Sequence, residues 1–311
     1  MTRHNNETGQ FQSPVNASAT GELLRSGITF DVAPSASGGK ATVEIIIPVY
    51  NQVEYTRKCL ESLRQTTRTA ASVIVIDNGS TDGTPEYLAN LPALTVIRNE
   101  KNRGCAAAWN QGIAASTGEW VVVLNNDVVL TPGWLDGLLA AAVEIGLDIV
   151  SPALREGPLN YELEAYAREF VRSTGGATRP GVAHGVCFLV RRRVFESVGL
   201  FDENFRIGQF EDADFFHRAR QAGFALGATG QSFVHHFGSV TQNYVRQQLP
   251  LEAYEDWNRA YYRSKWTLGW HQRCLTRWKA RAQVAWWRAW ELHLCGHSLA
   301  ERWQHGQLEY E

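Results

Sequence analysis

No run of about 18 consecutive apolar residues occurs anywhere in the chain, so no segment is a candidate membrane-spanning helix. The opening residues, MTRHNNETGQFQSPVNASAT, lack the basic-then-apolar order of a secretion signal, and the expectation is a cytoplasmic protein. Cysteine is sparse and unpatterned. Five residues, at 59, 105, 187, 274 and 295, form no CxxC pair and have no histidine or cysteine at zinc-ligand spacing. They read as reduced, mostly buried thiols, not as a disulfide frame or zinc site. No charge sign dominates: 30 Lys and Arg stand against 32 Asp and Glu, and a net charge of -2 gives no reason to expect a nucleic-acid partner. Two glycine signatures are also missing. SASGGK cannot be a phosphate loop, because Pro34 stands where a glycine is needed and Ala41 follows Lys40; the turn PVYNQ lacks the GxGxxG of dinucleotide binders.

What is present is the composition of an ordinary globular protein, 44% hydrophobic and 20% charged, in 311 residues. Residues 1–40, rich in Ser, Thr, Asn, Ala and Gly, read as a flexible arm. From Val43 the pattern alternates. VEIIIPVYN is an apolar strand, Gln52 to Gln65 has helical spacing, SVIVID is a second strand, and Thr84-Pro85 opens a second helix. Leu94 to Arg98 is a third strand, Gly104 to Ser116 a third helix, and Trp120 to Leu124 a fourth strand. Alternation of this kind predicts an α/β fold, with a Rossmann-like, mostly parallel sheet covered by helices on both faces.

The chain is organised around EWVVVLNNDVVLTPGW. A buried strand ends there in Asn125, Asn126 and Asp127, and Thr131-Pro132 reads as a helix N-cap with proline at the first helical position. Polar side chains at the carboxyl end of a strand face the crevice where open α/β sheets bind ligands. Three further clusters have comparable places: Pro48 to Asn51, Asp77 to Asp82, and Glu211 to Asp214, with His235 and His236 after a later strand. Carboxylates gathered at one crevice suit a hard divalent cation bridging to phosphates. Residues 155–182 read as a long mobile excursion, and Val182 to Val190 as a strand. Arg191 to Arg193 fit either a diphosphate site or a solvated turn. Asp214 pairs with Arg218 at helical spacing, and His184 and His217 read as structural or surface residues.

Beyond residue 245 the composition shifts. Eight of the eleven tryptophans fall between Trp257 and Trp303, and Trp257 to Trp290 holds eight Lys or Arg and no acid. Trp278, Ala282, Trp286 and Trp290 recur every four residues, which predicts a helix with a tryptophan-lined face. Such a face suits either packing, on the domain or a second subunit, or an anionic membrane surface. The expected organisation is an arm (1–40), a catalytic domain (41–245) and a basic helical extension (246–311).

IIIPVYNQ, VIVIDNGSTDGT, NEKNRGCAAAWNQGI, EWVVVLNNDV, GVCFLVRRRVFESVGLFDENF, QFEDADFFHRARQAGF and HHFGS together resemble the family 2 inverting glycosyltransferases of the GT-A fold. The likeness covers roughly residues 43–243 and is strongest to the rhamnosyltransferase-like branch that builds bacterial cell-surface polysaccharides. It implies a nucleotide diphosphate sugar donor, UDP- or dTDP-linked, a glycan or lipid-linked acceptor, and Mn2+ or Mg2+ as cofactor. Pro48, Tyr50 and Asn51 would lie along the nucleoside. Asp77 would bind the base, with Ser80 and Asp82 nearby; Asp77 and its turn are also readable as a strand-end cap. Asn102, Gly104 and Asn110 would line the sugar or diphosphate. Asn125, Asn126 and Asp127 stand where the family has its DxD motif, so Asp127 would hold the metal, completed by His236 or His235. Asn125 in place of the first Asp removes one negative charge. Glu211 and Asp212 match the family's acidic pair; Asp212 would be the general base, the helical angle between neighbours leaving Glu211 to contact the acceptor or orient the loop. Two rival readings are a sugar-phosphate nucleotidyltransferase, which ordinarily has a glycine-rich basic loop after the first strand, and a non-catalytic nucleotide-binding scaffold, which the intact acids disfavour.

Overall fold

The computed structural model describes residues 43–92, 94–248, 253–266 and 270–310, so the expected arm lies outside the described residues. The chain runs β1 (Val43–Val49), α1 (Val53–Thr66), β2 (Ala71–Asp77), α2 (Thr84–Ala89), β3 (Thr95–Arg98), α3 (Cys105–Ala114), β4 (Trp120–Leu124) and β5 (Val128–Leu130). It continues with α4 (Trp134–Ile145), β6 (Ile149–Glu156), α5 (Leu163–Thr174), β7 (Thr178–Pro180), β8 (Cys187–Arg191), α6 (Arg192–Val198), α7 (Glu211–Gln221) and β9 (Leu226–His236). The last elements are α8 (Val240–Gln248), α9 (Ala253–Lys265), α10 (Trp270–Cys295), β10 (Ala300–Gln304) and β11 (Gln307–Tyr310).

Strands β3, β2, β1 and β4 lie side by side and parallel, as the alternation predicts. Both faces are buried, and period-two alternation divides the core in two. Ile45, Ile47 and Val122 pack with Leu60 and Leu138 on one face, while Ile46, Val121 and Val123 pack with Trp109 and Phe215 on the other. Burying a side chain of this size is worth roughly 1.5–3 kcal/mol, and β1, β2 and β4 bury nearly every one. The sheet is therefore a rigid platform whose carboxyl edge carries the loops. Antiparallel β8 follows β4 and pairs with β6, which in turn runs parallel to β9 and β10.

Four local expectations change. Thr131 does not cap α4: its hydroxyl donates to the Phe233 carbonyl across the sheet, and the helix begins after Gly133 at φ 81°. The stretch 155–182 is no mobile excursion. It completes β6 and forms the amphipathic helix α5, whose Ala167 and Phe170 are buried beside Phe233, and then β7. The basic trio sits at the amino end of β4, away from the ligand edge. Arg191 lies over Trp120, Arg192 donates to the Gly118 carbonyl and to Ser116, and Arg193 pairs with Asp148, which corrects the diphosphate alternative. The strand after residue 182 starts only at Cys187, leaving 182–186 as a loop above the sheet.

Beyond β9, the boundary expected at residue 245 falls inside α8. Helices α9 and α10 follow, and the chain then returns as a hairpin: β10 joins the sheet alongside β6, and β11 forms its outer edge. On α10, Trp287 is buried, whereas Trp278, Trp286 and Trp290 are 68%, 61% and 40% exposed. No helix among the described residues is long and apolar enough to cross a membrane.

Candidate active site

Register brings the principal residues together. Asp127 immediately precedes β5 and His236 ends β9; these antiparallel strands pair Val128 with His236, so the two side chains become neighbours. The Phe237 amide donates to the Asp127 carbonyl at 3.0 Å and locks the junction. The carboxylate is buried. Its Oδ2 accepts the Val240 amide at the start of α8 (3.1 Å), where the helix dipole favours an anion. Its Oδ1 stands 3.4 Å from His236 Nε2, close enough for charge attraction but without hydrogen-bond geometry. On the far side of the ring, Nδ1 lies 3.1 Å from Glu156 Oε2. A carboxylate only accepts, so Nδ1 carries a proton and Nε2 is turned toward Asp127.

Charge follows from this sandwich. Burial is the largest influence on His236 and pushes its pKa down, but Asp127 and Glu156 outweigh it and hold the imidazole at about 9. Burial likewise raises Asp127, and His236 with the Val240 amide reverses it, leaving the carboxylate below its ordinary range.

The same cleft is bounded by Glu211 and Asp212 at the start of α7, and both line it. Burial first, and then the neighbouring Asp212 charge, push the Glu211 carboxyl up to about 8. Its Oε2 is buried without a hydrogen-bond partner. Burial also raises Asp212, but the Ala213 amide donates to Oδ1 at 2.8 Å and the Gly185 amide assists, so Asp212 is the acid better kept ionised. A Cβ on Gly185 would lie 2.3 Å from Asp212 Oδ2, which requires glycine there.

Pro48, Tyr50, Asn102, Asn125, Asn126, Asp127, Glu211, Asp212 and His236 line one cleft. Asn126 is also structural, its Nδ2 donating to Thr56. The others stand behind. Asn51 has φ 53° and ties the turn together, accepting the Thr81 and Asp82 amides. Ser80 accepts the Asn51 amide, and Asp82 accepts those of Val53 and Thr84, capping two helix starts. Asp77 ends β2 with Oδ1 on the Ser80 amide, while Oδ2, 3.5 Å from Arg98 Nε, lacks a hydrogen-bond partner. Gly104, at φ 87°, lets the chain pass close to Ile207. Asn110 is spent on the Phe201 backbone and Glu203. His235 points the opposite way along β9, bonded to Tyr161 and packed on Phe237, so of the two histidines only His236 faces Asp127.

Residues that the sequence did not single out complete the site. Asn78 lines the cleft and bridges Asn102 and the Gly104 carbonyl. Thr241, Gln242 and Val245 close it from α8, and Tyr244 accepts from Asn51 and meets Tyr50 edge-on. Glu156 was hidden by the reading of 155–182 as a loop. The α8 residues directly follow HHFGS, the one available signal.

Among the described residues, no group of three His, Cys, Asp or Glu is arranged to hold a metal. Asp127 and the unpartnered His236 Nε2 supply two donors, which fits an ion that takes the rest of its shell from phosphates and water.

Comparison with known proteins agrees with this geometry. Residues 44–199, half the chain, match the family described as Glycosyl transferase family 2. The glycosyltransferase AglE of Haloferax volcanii is 29% identical over 195 residues, which are 59% of this chain and 63% of that protein. The N-acetylglucosaminyl-diphospho-decaprenol L-rhamnosyltransferase of Mycobacterium tuberculosis is 31% identical over 220 residues, 58% of this chain and 70% of that one. Among solved structures, a Pyrobaculum calidifontis mannosyltransferase in complex with GDP-Man and Mn2+ shares the fold, with a TM-score of 0.51 at 20% identity, covering 75% of this chain and 64% of its own. The chain thus belongs to glycosyltransferase family 2, with a GT-A-like mixed α/β fold.

Proposed function

We propose that the protein moves a sugar from a UDP- or dTDP-linked donor to an acceptor hydroxyl with inversion at the anomeric carbon, in the assembly of a bacterial cell-surface glycan. One observation carries the reading: Asp127 with His236 and Glu211 with Asp212 bound a single cleft at the carboxyl edge of a rigid sheet. A divalent cation, Mn2+ or Mg2+, held by Asp127 and His236, would supply positive charge to the departing diphosphate. Asp77 receives the base through Oδ2, which has Arg98 beside it but no hydrogen-bond partner, and Tyr50 lies along the nucleoside. Across the cleft, Asp212 takes the proton of the acceptor hydroxyl as it attacks. Glu211, protonated near neutrality, donates to the acceptor and adds no second negative charge. Attack from the side opposite the leaving group inverts the centre. The anomeric proton of sugar released to water, followed by NMR before mutarotation, tests this; retained configuration would sink it.

The exposed indoles of α10 favour a second element of the reading. Trp278, Trp286 and Trp290 stand out from the protein near Lys279, Arg281 and Arg288. Amphipathic rings with cationic neighbours suit a membrane interface. By its name, the mycobacterial relative's acceptor is a diphospho-decaprenol. A lipid-linked acceptor here would place the enzyme peripherally at the inner face of the cell membrane, with α10 as its contact. The proposed functional division therefore lies beyond residue 245, which falls inside α8, and leaves α10 to meet the acceptor's surroundings.

A further inference from the structure

Asn258 is fully buried on α9 and spends its whole amide on one loop. Its Nδ2 reaches the carbonyl oxygens of Arg206 at 2.9 Å, Gly208 at 2.8 Å and Gln209 at 3.2 Å, while Oδ1 accepts the Arg206 amide at 2.9 Å. That loop needs holding. Ile207, Gln209 and Phe210 have φ of 58°, 79° and 76°, a left-handed conformation that non-glycine residues keep only when their surroundings over-determine it. The next two residues are Glu211 and Asp212. On the loop's other side, the Cys105 amide at the start of α3 donates to the Ile207 carbonyl at 2.7 Å. The clamp also reaches α8: Glu255 of α9 accepts from Gln209 at 3.1 Å and pairs with Arg246 at 2.5 Å. Helix α8 is the one whose first amide binds Asp127.

We propose that Asn258 is a positioning residue for transfer. It fixes the loop 206–210 in its strained form, so that the Glu211 and Asp212 carboxylates enter the cleft, and it makes α9 part of the active site instead of an appended layer. The proposal rests on the reading of these two acids as the acceptor-side pair. A carboxylate displaced by about 1 Å can cost on the order of 10²-fold in rate, so a clamp with no substrate contact has a kinetic signature.

Asn258→Asp keeps the shape and the Oδ1 acceptor but sets a carboxylate oxygen against three carbonyls. Asn258→Ser removes the clamp without adding charge. Each variant is examined by hydrogen–deuterium exchange over 206–214, by UDP affinity with Mn2+, and by nucleoside diphosphate release from dTDP-rhamnose and UDP-N-acetylglucosamine, in the wild-type and Asp212→Asn backgrounds. The expected result is faster exchange at 206–212 with β1 to β4 unchanged, and UDP affinity within about twofold. The kcat should fall roughly 10–100-fold at similar KM, with no further loss once Asp212 is gone. Unchanged loop protection, turnover within about twofold of wild type, or an equal loss in the Asp212→Asn background would each overturn the proposal. Global unfolding of both variants would make Asn258 a stability residue and overturn it too. If the wild-type protein turns over neither donor, the glycosyl-transfer reading is what fails, and loop exchange alone decides the clamp.

Discussion

Asp127 Oδ1 and His236 Nε2 face each other across 3.4 Å, held by the pairing of Val128 with His236. Without metal the imidazole keeps its proton to about pH 9, because Asp127 and Glu156 overcome the downward push of burial. A cation that binds Nε2 must displace that proton, so its affinity rises as pH climbs toward 9 and levels above it. The expectation is a gain in Mn2+ affinity, with UDP present, of up to about tenfold per pH unit between pH 7 and 8.5, and a flatter profile in His236→Gln. Equal slopes in the two proteins would remove His236 as a ligand.

Asp212→Asn preserves shape and cannot take a proton, so transfer should drop by roughly 10²–10⁴-fold while UDP binding changes little. Glu211→Gln keeps a donor where a protonated acid stands, and its loss should be under about tenfold. Steady-state kinetics on the two variants check the assignment. The opposite ranking would exchange their roles.

Stability carries the same signature. The folded Glu211 pKa is raised from 4.5 to about 8, first by burial and then by Asp212, so between those values the native state holds a proton that the unfolded chain has released. Its contribution is fully present below pH 4.5 and is lost as pH rises through 8. Glu211→Gln removes this titration, so its melting temperature should gain on wild type by a few degrees between pH 5 and 8.5, about 1 kcal/mol being worth roughly 2–4 °C at this size. A pH-independent difference would contradict the raised pKa.

Replacing Trp278, Trp286 and Trp290 with Ala should leave donor turnover intact, since these rings are exposed and do not line the cleft. Binding to phosphatidylglycerol vesicles should weaken at least tenfold, and wild-type binding should fall with salt, as surface charge is screened within about 10 Å at 0.1 M. Unaltered vesicle binding would leave the indole face to self-association.

Sequence periodicity located β1, β2 and β4 because each holds a continuous apolar run, and it located Asn125 to Asp127 because polar residues end such a run. It lost α5, whose Leu163, Tyr166, Ala167 and Phe170 have helical spacing but lie between charged residues and a glycine-rich end. Site residues divided by distance. Asp82 serves helix starts 2 and 29 residues away, whereas Asn51 meets Tyr244 at a separation of 193 residues, and Asn258 grips a loop about 50 residues upstream. No local pattern encodes those pairings, because tertiary packing alone brings the partners together. His235 and His236 look equivalent in sequence; strand alternation sends them to opposite faces.

The central claim is transfer chemistry in the Asp127 cleft, and product analysis of wild type and Asp127→Ala tests it most directly. Each is incubated with a panel of UDP- and dTDP-sugars, with Mn2+ or with chelator, and the products are resolved by chromatography. The expected result is Mn2+-dependent release of nucleoside diphosphate by wild type, lost in an Asp127→Ala variant that keeps its fold. Sugar 1-phosphate and nucleoside triphosphate formed with added pyrophosphate would instead mark a nucleotidyltransferase, and nucleoside diphosphate release undiminished in Asp127→Ala would contradict the assigned site.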